Sequence, residues 1–164
     1  MLRRLIGLLL IAIVALVGCQ SQAVEHAAPN RLAEVADRGA EVMPFDLERT
    51  THIFEKTGSG GLQQVISDDG DAAQIELIRS HLAEEVDRFS QGDFHDPQMI
   101  HGENMAGLHQ LMMGYQNINL EYSDIENGAQ ILYTTDNAEM VTALHTWFDA
   151  QLSDHGPHAQ PATQ

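Results

Sequence analysis

The 164-residue chain carries eight Lys and Arg against 24 Asp and Glu, a formal net charge of -16, with one Cys, nine His and 43% hydrophobic residues. That length suits one domain with a core of ordinary size. Charge of this sign repels phosphate backbones and anionic head groups, so neither a nucleic-acid partner nor a basic membrane patch is expected. A single Cys excludes an internal disulfide framework, a multi-cysteine zinc site and an iron-sulfur cluster held by this chain alone.

Arg3 and Arg4 form a short positive region, and Leu5 to Val17 is apolar apart from Gly7. The run is shorter than the roughly 20 residues needed to cross hydrocarbon, so residues 1–18 read as a signal peptide. Leu16-Val17-Gly18-Cys19 resembles the lipobox of bacterial lipoproteins. The resemblance implies cleavage before Cys19 and acylation of that residue, which makes Cys19 a membrane anchor. Several acyl chains on one residue supply stable attachment, since one chain alone binds only marginally. The implied location is the bacterial cell envelope, facing the periplasm or the exterior. Resemblance to enteric lipoproteins, with Gln20 after the Cys, implies the outer membrane over the inner.

Residues 19–42 read as the lipidated Cys, a small polar tether and a short helix over Arg31 to Arg38 that stops at Gly39. An α+β domain is expected over residues 43–156. Its first unit, residues 50–91, holds the β-rich run Thr50 to Thr57, a turn at Gly58 to Gly61, a second strand from Leu62 to Ser67, and a helix. Ile75, Ile78, Leu82, Val86 and Phe89 form the apolar stripe of that helix. A loop and a connecting helix near Met105 to Gly114 occupy residues 92–115. The second unit, residues 117–155, repeats the pattern, with strands over Asn117 to Ser123 and Ala129 to Thr134, a cap at Asp136, and a helix striped by Leu144, Phe148 and Leu152. Sliding by about 66 residues lays Ile78 on Leu144 and Leu82 on Phe148, the mark of a duplicated hairpin-plus-helix unit. Two such units predict one antiparallel sheet of about four strands with both helices on one face. Residues 157–164 read as a disordered tail.

The histidines carry the chemical interest. His81 and Glu85 are spaced i,i+4 on the first long helix, as are His145 and Asp149 on the second, so each imidazole has a carboxylate one turn away that can orient it or share a metal with it. His52 lies in the first strand, and His95, His101 and His109 lie around the connecting segment with Met99 and Met105 interleaved. Imidazole with carboxylate suits zinc, and imidazole with thioether suits copper. His155, at the end of the second long helix, can serve the helix terminus as a cation. No His-Glu-x-x-His, phosphate loop or nucleophile elbow is present in the sequence.

Arg38 to Phe45, Thr50 to Phe54, Ile78 to Leu82, Phe89 to Phe94, Ile100-His101, Leu144-His145 and Asp154-His155-Gly156 are similar to a family of small exported bacterial proteins of uncharacterised function. Some members of that family bear the label aspartate carbamoyltransferase. That activity calls for a longer two-domain chain and a Ser-Thr-Arg-Thr phosphate loop, which these residues lack, so it is not expected. The resemblance places emphasis on His52, His81, His101, His145 and His155.

The sequence therefore predicts a membrane-anchored, non-enzymatic binding domain that holds copper, zinc or haem through His52, His81, His101 and His145. Glu85 and Asp149 are expected to orient these histidines or to act as additional ligands. The alternative is a structural or protein-interaction lipoprotein with an envelope protein partner and no ligand. A small enzyme would require the histidines and carboxylates to converge in one concave pocket.

Overall fold

The computed structural model describes residues 28–163; the expected signal peptide and Cys19 lie outside the described residues. Helix α1 (Pro29–Val42) opens with a proline in its first turn, where the missing N–H costs no intrahelical bond. Gly39 does not end it, as the sequence suggested. A Cβ there would stand 2.7 Å from Leu47 Cδ1, so this glycine makes room for Leu47 and the helix runs on to Val42. The short helix expected over Arg31 to Arg38 is thus longer at both ends, and it is docked, with Val35 buried and the helix packed on two later ones, α3 (His95–His101) and α5 (Ala138–His155).

Strands β1 (Thr50–Thr57) and β2 (Gly60–Ser67) form a hairpin around Gly58-Ser59, and α2 (Ala72–Phe89) follows, capped by the Asp71 carboxylate. After α3 comes α4 (Leu108–Gly114), so the segment expected to hold one connecting helix holds two short ones. The second hairpin, β3 (Asn119–Ile125) and β4 (Gly128–Thr134), turns at Glu126-Asn127. Asn137, not Asp136, caps α5 by accepting from the amides of Glu139 and Met140.

The fold is α+β, but the sheet has five strands in the order β3-β4-β2-β1-β5 and is mixed, not four-stranded and antiparallel. The extra strand is β5 (Ala159–Pro161), which pairs parallel to β1. It comes from the segment expected to be a disordered tail. At three residues with a proline it has no readable periodicity, and an edge position is where a strand proline is tolerated.

The duplication is visible in the geometry. Helices α2 and α5 are each 18 residues long and start 66 residues apart, at Ala72 and Ala138. Strands β2 and β4 meet at the centre of the sheet, where Gln64 stands opposite Gln130 and donates to its side-chain oxygen at 2.8 Å. Both long helices cover the same face, α2 over β4, β3 and β2, and α5 over β2, β5 and β1. Between helices and sheet lie Ile78, Leu82, Ile131, Tyr133, Leu144, Trp147 and Phe148, all buried. The opposite face carries Ile53, Leu62, Ile66 and Leu132 beside the Gln64–Gln130 pair, and these four are partly exposed. Among the described residues no helix is long and apolar enough to cross a membrane.

Candidate functional site

At one end of the helix-covered face, β1, β2, α1, α2, α3 and α5 leave a small cavity of about 40 Å³. Four imidazoles line it, His52 from β1, His81 from α2, His101 from α3 and His155 from α5, together with Glu85, Gln151, Met43 and Phe45. Strand alternation turns His52 inward between Thr50 and Phe54, while His81 and Glu85 sit one turn apart on the buried side of α2. The imidazoles touch each other: His52 stacks on His155 with centroids 4.8 Å apart, and His101 meets His155 edge-on at 5.1 Å. Phe45 presses edge-on against His81 at 5.6 Å.

Three of the four predicted histidines, with Glu85, therefore converge, and His145 with Asp149 does not. His145 Nε2 donates to the carbonyls of Thr57 and Gly60, 3.0 and 2.9 Å away, which flank the β1–β2 turn. Asp149 pairs with Lys56 on the same hairpin. The duplication explains this placement. Sixty-six residues before His145 stands Arg79 of α2, which donates to the carbonyls of Ile125 and Gly128, the same two positions around the β3–β4 turn. Each long helix thus caps the hairpin of the other unit, and His145 is occupied by that task.

The structure adds residues that the expected metal set left out. His155 is no exposed cation at a helix end but a partly buried ring whose Nε2 bonds the Gln151 side-chain oxygen at 3.0 Å. Asp154 accepts from His101 Nδ1 at 2.9 Å and from Arg31 Nη2 at 2.6 Å, and Arg31 Nε reaches its other oxygen at 3.2 Å. The one available signal was the Asp154-His155-Gly156 run at a helix end; nothing local pointed to Arg31.

Burial pushes His52 down to about 4, helped by the neighbouring His101 and His81, and it pushes His155 well below the ordinary imidazole value. Both rings are neutral at pH 7. His81 goes the other way: burial opposes its charge, but Glu85 outweighs it and raises the pKa. The His81 Nε2 to Glu85 Oε1 distance is 3.6 Å, a charge contact too long for a hydrogen bond. His52 Nδ1 and His81 Nε2 are buried with no hydrogen-bond partner. Two orphaned ring nitrogens on one cavity are costly, at roughly 1–3 kcal/mol each, and point to a guest. Among the described residues no three His, Cys, Asp or Glu side chains are already spaced as ligands of one ion.

These shifts predict an acid-sensitive fold in the metal-free protein. Because the folded His52 titrates at about 4 against an ordinary 6.5, the unfolded chain takes up the proton first. Stability should hold above pH 6.5 and fall between 6.5 and about 4, by up to roughly 3 kcal/mol from this residue. His155 adds in the same direction. The His81 contribution has the opposite sign, present below the ordinary value and lost as pH rises through its folded one. Urea unfolding across that window reads the balance, and a flat profile would contradict the neutral buried pair.

No family model, curated protein or solved structure matches the chain.

Proposed function

We propose that this chain is a lipid-anchored binding protein of the bacterial envelope, attached through Cys19, and that the histidine cavity takes a single transition-metal ion, zinc or copper. The observation that carries the reading is the pair of unpartnered buried nitrogens, His52 Nδ1 and His81 Nε2, on a cavity shared with His101, His155 and Glu85. A cavity of about 40 Å³ has room for one ion or roughly two waters. That space is too small for haem, which favours an ion as the guest. Neutral imidazoles such as His52 and His155 need no deprotonation to become ligands, and Met43 on the cavity wall offers a thioether to copper. Closing on an ion requires the rings to rotate inward from their present stacked arrangement.

Isothermal titration of the full chain with zinc and copper tests this. Binding tighter than about 100 μM, equivalent to roughly 5.5 kcal/mol, is expected with both ions as probes; nothing tighter removes the proposal. A second reading, docking of an envelope protein, draws on the uncovered sheet face bearing Ile53, Leu62, Ile66 and Leu132. Charged substitutions at Leu62 and Leu132 separate the two, since they leave metal affinity unchanged.

A further inference from the structure

The role of His101 in the cavity is decided outside the cavity. Its ring has two nitrogens, and Nδ1 is committed to Asp154 Oδ2 at 2.9 Å. An ionised carboxylate can only accept, so Nδ1 carries the hydrogen, and in the neutral ring Nε2 keeps the lone pair. Asp154 is itself fixed. Arg31 of α1 grips both of its oxygens, and the same guanidinium donates to the His101 backbone carbonyl at 2.7 Å, closing a ring of bonds around the imidazole. The His101 side chain is 2% exposed, which leaves bulk water little access to the ring.

We propose that Asp154, held by Arg31, is the positioning residue that sets the tautomer of His101 and leaves its Nε2 free for the guest of the cavity. This rests on the cavity as the ligand site, and it makes α1 part of that site. Of the cavity's imidazoles, His101 is the one with a carboxylate bonded to its far nitrogen, the arrangement that raises ligand basicity and locks ring orientation at metal centres.

The test is the tautomer, read by nitrogen NMR on the full chain labelled with 15N at histidine, in detergent micelles, before any metal is added. The wild type is expected to show His101 protonated at Nδ1. In Asp154→Asn the side chain retains one accepting oxygen, which Arg31 claims, and it turns an N–H toward the ring. His101 should then shift to the Nε2–H form, and zinc affinity should fall by about 10–100-fold. Arg31→Lys, which keeps a cation but loses the fork, is expected to lie between the two. A wild-type His101 protonated at Nε2 overturns the proposal without recourse to any variant, as does an Asp154→Asn chain whose tautomer and zinc affinity both match wild type. A wild type that binds no zinc yet shows the Nδ1–H form, switching in Asp154→Asn, overturns the metal reading alone.

Discussion

Trp147→Ala is expected to destabilise the domain by about 3–5 kcal/mol, against about 5–15 kcal/mol for the whole stability of an ordinary domain. Trp147 is 1% exposed and sits where both long helices meet the sheet. It meets Tyr133 edge-on with ring centroids 6.0 Å apart, Phe89 edge-on at 6.3 Å, and Phe148 at a tilt of 41°. The packing leaves no slack for collapse around a truncated side chain. A Cβ on Gly107, just before α4, would come within 2.7 Å of the Trp147 backbone nitrogen, so α4 already rests directly on α5 here. One effect opposes the loss: the indole Nε1 is buried without a partner, and alanine removes that orphaned donor. The lower end of the range is therefore favoured, and Trp147→Phe, which keeps an aromatic ring and also removes the donor, should cost much less. Urea unfolding followed by circular dichroism measures both. A loss below about 1 kcal/mol for Trp147→Ala would show that the core is centred elsewhere.

The second large effect separates stability from function at a single residue. His52→Leu is expected to abolish zinc binding, lowering affinity by at least about 100-fold, while leaving the metal-free protein as stable as before or about 1 kcal/mol more stable. His52 is 7% exposed, packs among Phe45, Phe54 and His155, and carries an unpartnered Nδ1. For the fold alone a leucine of similar size suits that environment better, because it brings no nitrogen to desolvate. A histidine kept there solely for structure would have its buried nitrogen satisfied, as His145 Nε2 is. Thermal unfolding and titration on the same preparation decide the matter. Retained zinc affinity together with a stability loss above about 1 kcal/mol would make His52 structural and remove it from the ligand set. The variant should also lose the His52 share of the acid sensitivity between pH 6.5 and 4, an independent check that the residue titrates as a buried neutral ring.

What the sequence by itself determined was local and periodic. The stripe Ile78, Leu82, Phe89 and its counterpart Leu144, Phe148, Leu152 set two amphipathic helices, since burial of an apolar face at a period near 3.6 is legible in any one stretch. The β-rich runs on either side of Gly58-Ser59 and Glu126-Asn127 set two hairpins for the same reason, and together they made the 66-residue duplication readable. Strand β5 escaped notice because three residues held by backbone pairing to β1 need no pattern of their own.

The site was legible in part. His81 and Glu85 were found by i,i+4 spacing, yet the same spacing led equally to His145 and Asp149, which face a hairpin turn. Spacing places two side chains on one helical face without saying which face meets a cavity. That depends on where the helix lies on the sheet, and α2 and α5 are related so that Arg79, not His81, corresponds to His145. Arg31 and Asp154 are 123 positions apart in the chain, and only the docking of α1 on α5 brings them to His101. Helices and hairpins follow from short-range sterics and burial, whereas the imidazole cluster follows from the packing of six separate elements, which no local pattern encodes.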